Sequence, residues 1–141
     1  MSAEIKVVWG SMTVIQGLNR TADAGVECSV VLPSCQPAGG LRESAWPVAQ
    51  HLFAQGISCE ILAVCTEPSE ACAHAVADLS FVRVINAPDR ATAITHALTV
   101  ARGVWVTIAD NVENTGIDPL EVAESLHRAR EREVEMALSE V

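Results

Sequence analysis

The sequence predicts an α/β fold, a Rossmann-like, mostly parallel sheet flanked by helices and preceded by an N-terminal β-hairpin. Three observations carry this. Short, largely apolar runs at residues 29–32, 61–64, 82–85 and 104–108 lack the polar alternation of a half-exposed strand. Apolar residues at helical spacing follow each run, so strands and helices alternate, the pattern of a parallel sheet covered on both faces. The chain has 141 residues, 50% of them hydrophobic, enough for one domain with a real core.

The elements follow in order. Residues 5–9 and 12–15 are β-type runs joined by Gly10-Ser11, a Gly-X connection suited to a type II′ hairpin turn. A two-stranded hairpin is marginal in water, so this arm must pack on its own domain or on a partner chain. Residues 1–27 are therefore read as a hairpin arm and its connection, and residues 28–141 as the α/β domain. The first parallel strand, 29–32, ends at Pro33 and leads into a Gly/Pro loop. Leu41, Ala45, Val48, Ala49, Leu52 and Phe53 then trace a helical stripe that Gly56 stops.

After strand 61–64, Thr66-Glu67-Pro68-Ser69-Glu70 supplies capping and first-turn residues, and Ala71, Ala75, Val76 and Leu79 give the second stripe. Strand 82–85 precedes a helix capped by Asp89, with Ile94, Ala97, Leu98 and Ala101 on one side and Gly103 at its end. Strand 104–108 is followed by an acidic loop. The last helix opens at Asp118-Pro119 and runs to about residue 138, with Leu120, Ala123, Leu126, Val134 and Leu138 on one side. Its charged run pairs Arg128 with Glu131 and Arg132 with Glu135.

Composition narrows the functional classes. Nine Lys and Arg against eighteen Asp and Glu give a formal charge of −9, which repels nucleic-acid backbones and anionic lipid surfaces. Five cysteines form no CxxC pair and no zinc spacing, and they are read as reduced and structural. The first residues have no signal-peptide pattern, and no segment reaches the roughly 18 apolar residues of a membrane span. A soluble, cytoplasmic protein is the expectation.

His51, His74, His96 and His127 fall on four different predicted helices, without metal-ligand spacing. Trp9, Trp46 and Trp105 are core or interface anchors, Trp105 being core because its strand is apolar on both sides. Asp110 and Glu113 stand in the loop after the fourth parallel strand, where open α/β sheets bind ligands. They read equally well as solvated, helix-flanking acids. The Pro37-Ala38-Gly39-Gly40 loop offers a weaker phosphate cradle.

The order and spacing of Cys28-Ser-Val-Val-Leu-Pro-Ser-Cys-Gln, Glu60-Ile-Leu-Ala-Val, Val82-Arg-Val-Ile-Asn and Ala101-Arg-Gly-Val-Trp-Val-Thr-Ile-Ala-Asp resemble the nucleotide-binding half of family 2 glycosyltransferases, over roughly residues 28 to 130. The resemblance implies a truncated A-type glycosyltransferase fold binding a nucleotide-diphospho-sugar. It implies that Pro33 and Ser34 line the base pocket, with Glu67 near the nucleotide. It further implies a divalent metal, Mg²⁺ or Mn²⁺, on Asp110 with Glu113 as auxiliary ligand, because a diphosphate leaving group needs a hard cation.

The chain departs from the family's motifs at each element. The base-pocket segment reads Pro33-Ser34-Cys35-Gln36, without the aromatic; Cys65-Thr66 replaces an acidic pair; and Asp110-Asn111-Val112 replaces Asp-x-Asp. An acceptor half and its catalytic base are expected from another chain. Two readings follow: a minimal glycosyltransferase domain acting with a partner, or a catalytically inactive, self-associating module of the same fold. A homo-oligomer is expected under both, because an uncovered sheet edge and face would seek a partner.

Overall fold

A computed structural model describes residues 5–10, 12–17, 25–32, 41–65, 70–109 and 118–139. Among these residues six strands form one sheet, β1 (Lys6–Trp9), β2 (Met12–Gln16), β3 (Cys28–Leu32), β4 (Cys59–Cys65), β5 (Val82–Asn86) and β6 (Trp105–Ala109). Four helices accompany them, α1 (Leu41–Ala54), α2 (Glu70–Ala75), α3 (Arg90–Val100) and α4 (Pro119–Ser139). The fold is α/β with a mostly parallel sheet.

The strand order is β1-β2-β6-β3-β4-β5. β6, β3, β4 and β5 run parallel, while β2 lies antiparallel on β6 and β1 antiparallel on β2. From β3 the chain steps outward through β4 to β5, then returns across the sheet to place β6 on the other side of β3. Connections therefore leave β3 and β6 in opposite directions, which makes their seam a topological switch point. Leu32, Cys65, Asn86 and Ala109 end the four parallel strands on a common rim.

Alternate residues of each strand serve different faces. Cys28, Val30 and Leu32 of β3 and Ile61 and Ala63 of β4 meet Val48 and Leu52 of α1 and Val122 and Leu126 of α4. Val31, Leu62, Val64, Val106 and Ile108 meet Ala93, Ala97 and Ala101 on or just after α3. This two-sided cover explains why the parallel strands read as continuous apolar runs. Every residue of β3, β4 and β6 is buried, and each large apolar side chain so enclosed contributes about 1.5–3 kcal/mol.

The hairpin packs on its own domain. Ile5, Met12 and Val14 share the core of Val30 and Leu126, and Gly17 N donates to Val104 O at 2.8 Å. At the end of α1, Gly56 takes φ +76°, Ile57 N donates to Leu52 O at 2.9 Å and Gly56 N to Phe53 O at 3.0 Å. This paired closure is the Schellman arrangement, and it explains why the helix stops where the glycine stands.

Three sequence expectations are corrected. Phe53 does not join the α1 core stripe; it is exposed and meets Phe81 edge-on at 5.6 Å, beside Trp46 at 6.0 Å from the same ring. On α4, Ala123 and Leu126 are buried, but Leu120, Val134 and Leu138 are exposed, because the sheet takes only the arc around Val122, Leu126 and Ala129. Arg128 pairs with Glu124 at 3.5 Å and stacks 3.5 Å over the Trp9 ring, while Glu131 pairs with His127; the Arg132–Glu135 pair forms at 3.9 Å.

Candidate functional site

The rim over the β3–β6 seam is the place that topology favours for a ligand. Val31 stands opposite Ile108 across the seam, and Met12 of the hairpin opposite Ala109. Asp118 caps α4, its Oδ1 accepting from Leu120 N at 2.9 Å and its carbonyl from Val122 N at 3.2 Å, as expected of a residue before Pro119. The hairpin turn lies beside this helix start. Gly10 adopts φ +60° against the Glu121 carboxylate, where a Cβ would collide.

The sequence-derived site residues all fall on connections that follow parallel strands in the chain. Pro33 and Ser34 lie in 33–40, Glu67 in 66–69, and Asp110 and Glu113 in 110–117, all outside the described residues. The phosphate-cradle expectation at Gly39-Gly40 also falls there. Among the described residues, no three His, Cys, Asp or Glu side chains gather as a metal-ligand set, and no helix is long and apolar enough to cross a membrane.

A polar constellation that the sequence reading missed sits at the opposite, amino-terminal ends of the strands. Glu60 Oε2 accepts from Ser29 Oγ at 2.6 Å and from Arg102 N at 2.7 Å, and Oε1 accepts from Arg83 Nε at 3.1 Å and Nη2 at 2.7 Å. Ser29 Oγ in turn accepts from Gly103 N at 2.8 Å, and Arg83 Nη2 also donates to Val100 O at 2.8 Å, at the end of α3. The signal was present: Ser29, Glu60 and Arg83 are each the second residue of their strand, polar positions set among apolar ones. Both carboxylate oxygens are occupied by protein donors. The cluster ties the α3–β6 turn to β3 and so fixes how far β6 slides along β3 at the seam.

The thiols are held away from chemistry. Cys28, Cys59 and Cys65 are buried. Burial pushes the Cys28 thiol up to about 12, against a smaller opposing effect of its 3.4 Å contact with Thr107 Oγ1, and pushes Cys59 up to about 11. At neutral pH both are protonated and act as small apolar residues. Asp89, the α3 cap, is held below the usual carboxylate range chiefly by the backbone N–H of Thr92, at 2.8 Å.

Two open grooves lie on the α1–α4 side. One, of about 650 Å³, is bounded by Trp9, by His51 and Gln55 at the end of α1, and by Leu120, Glu124 and His127 of α4. The other, of about 660 Å³ and mostly apolar, lies between Trp46, Phe53 and Phe81. Neither carries a buried, unpartnered polar group, so each reads as a surface for shape rather than for chemistry. Compared with known protein families, curated proteins and solved structures, the chain matches none.

Proposed function

We propose that this chain is a nucleotide-diphospho-sugar-binding module of the glycosyltransferase kind, holding its ligand over the β3–β6 seam. One observation supports the reading above the rest: the parallel strands reverse their order of connection at that seam, the place where open α/β sheets take ligands. Pro33, Ser34 and Glu67 would face the nucleotide, and Asp110 with Glu113 would hold Mg²⁺ or Mn²⁺ on the diphosphate. The oxygen-only donor set suits either ion. Sugar transfer further requires an acceptor held in line and a base for its hydroxyl, which a partner chain would supply.

Calorimetric titration with UDP and GDP, with and without Mn²⁺, tests this. Binding that requires the metal and weakens about tenfold or more in Asp110→Ala is the expected outcome. Absence of heat with every nucleotide would leave the alternative, a self-associating module without catalytic activity.

A further inference from the structure

The solvent face of α4 carries a repeating pattern that the domain does not use. Leu120, Glu124, His127, Glu131, Val134 and Leu138 follow one another at alternating spacings of four and three residues, the seam spacing of a coiled coil. All six are exposed, Leu120, Val134 and Leu138 at 65%, 59% and 69%, while Val122, Ala129 and Leu126 on the far side are buried against the sheet. In a parallel, in-register pair each residue would face its own copy, setting Glu124 against Glu124 and Glu131 against Glu131. In the reversed direction the seam becomes self-complementary.

We infer that α4 pairs antiparallel with α4 of a second copy, about a two-fold axis that crosses the exposed seam level with Ala129. The residues of each facing pair are equidistant from Ala129 along the helix. Leu120 then meets the partner copy's position 138, a leucine, and Glu124 meets position 134, a valine. His127 meets position 131, a glutamate, and the same three contacts recur in reverse. Each His127 ring now donates to its own Glu131, 3.0 Å away, and facing helices bring a second carboxylate to the same donor face. The Glu124 carboxylate keeps Arg128 of its own helix, so placing it opposite valine strands no charge.

The groove beside the seam gives the partner's helix end a seat. Leu120, Glu124 and His127 form one wall and His51 and Gln55 another, so the apolar end of the second α4 enters next to Leu120. Twenty-one residues make a helix of about 31 Å, a small interface, so the dimer dissociates on dilution. This inference is independent of nucleotide binding.

Sedimentation equilibrium of the full chain from about 10 µM to 1 mM tests it, with helix content followed by circular dichroism. A concentration-dependent dimer is expected. Val134→Glu and Leu138→Glu, both at exposed positions, should each raise the dissociation constant about tenfold or more without loss of helix. His127→Glu should weaken the dimer by setting carboxylate against carboxylate, and Glu131→Lys by removing the carboxylate that faces the partner copy's imidazole. The double exchange H127E/E131K sets opposite charges face to face only if the helices are antiparallel, and should recover most of the affinity. A monomer at 1 mM, a dimer indifferent to the Val134 and Leu138 changes, or a double exchange no better than its single changes would overturn the assignment.

Discussion

At the residue scale the most consequential side chain is Glu60. Glu60→Ala removes the acceptor of four hydrogen bonds, leaving Ser29 Oγ, Arg102 N and the Arg83 guanidinium to find others. Breaking a buried charge pair costs about 3–5 kcal/mol, but Arg83 is 34% exposed and recovers some hydration, so a loss of about 2–3 kcal/mol in urea unfolding is expected. The buried thiols make a second prediction. Above about pH 9 an unfolded Cys28 or Cys59 releases a proton that the folded chain keeps, so the native state binds more protons and stability falls as pH rises. The contribution is whole below about pH 9 and is lost as the pH climbs through about 11 for Cys59 and 12 for Cys28. Urea midpoints measured from pH 8 upward should decline over this window, and less steeply in Cys28→Ala.

Among elements, the hairpin and α4 depend on each other through one turn. Gly10→Ala would force a left-handed backbone on alanine and drive its methyl into the Glu121 carboxylate. It should lower stability by more than about 1 kcal/mol and disturb the fluorescence of Trp9, which stacks under Arg128. Most elements were legible in the sequence because their signals are local: the apolar runs of β3 to β6, the Asp89 and Asp118 caps, the stop at Gly56. What was not legible is what neighbours decide. Leu120, Val134 and Leu138 lie within reach of the same wide apolar arc as Ala123 and Leu126, and only the tilt of α4 on the sheet separates them. The β5 to β6 return and the docking of β2 on β6 likewise leave no mark in either strand. Ser29, Glu60 and Arg83 looked incidental because 54 residues, from 29 to 83, separate partners that the sheet sets side by side. Of the candidate ligand site, the fold supplied the seam, while the residues proposed from the sequence lie outside the described residues.

For the whole molecule, charge sets a condition on function. A nucleotide diphosphate approaching a chain of formal charge −9 is repelled unless a cation travels with it, so the titration without Mn²⁺ should give no measurable binding. The hairpin and the parallel strands also share one continuous core, from Ile5, Met12 and Val14 through Val30 to Leu126. The two sheet faces are nonetheless unequal. Among the described residues, α1, α4 and Val76 and Leu79 just after α2 line one, and α3 lines the other, where Val8 of β1 stands 64% exposed and Ile15 is only half-buried. Protection should therefore grade across the ribbon. In native-state deuterium exchange the amides of β1 should swap first, through openings smaller than global unfolding, and those of β3 and β4, enclosed along their whole length, should hold out longest.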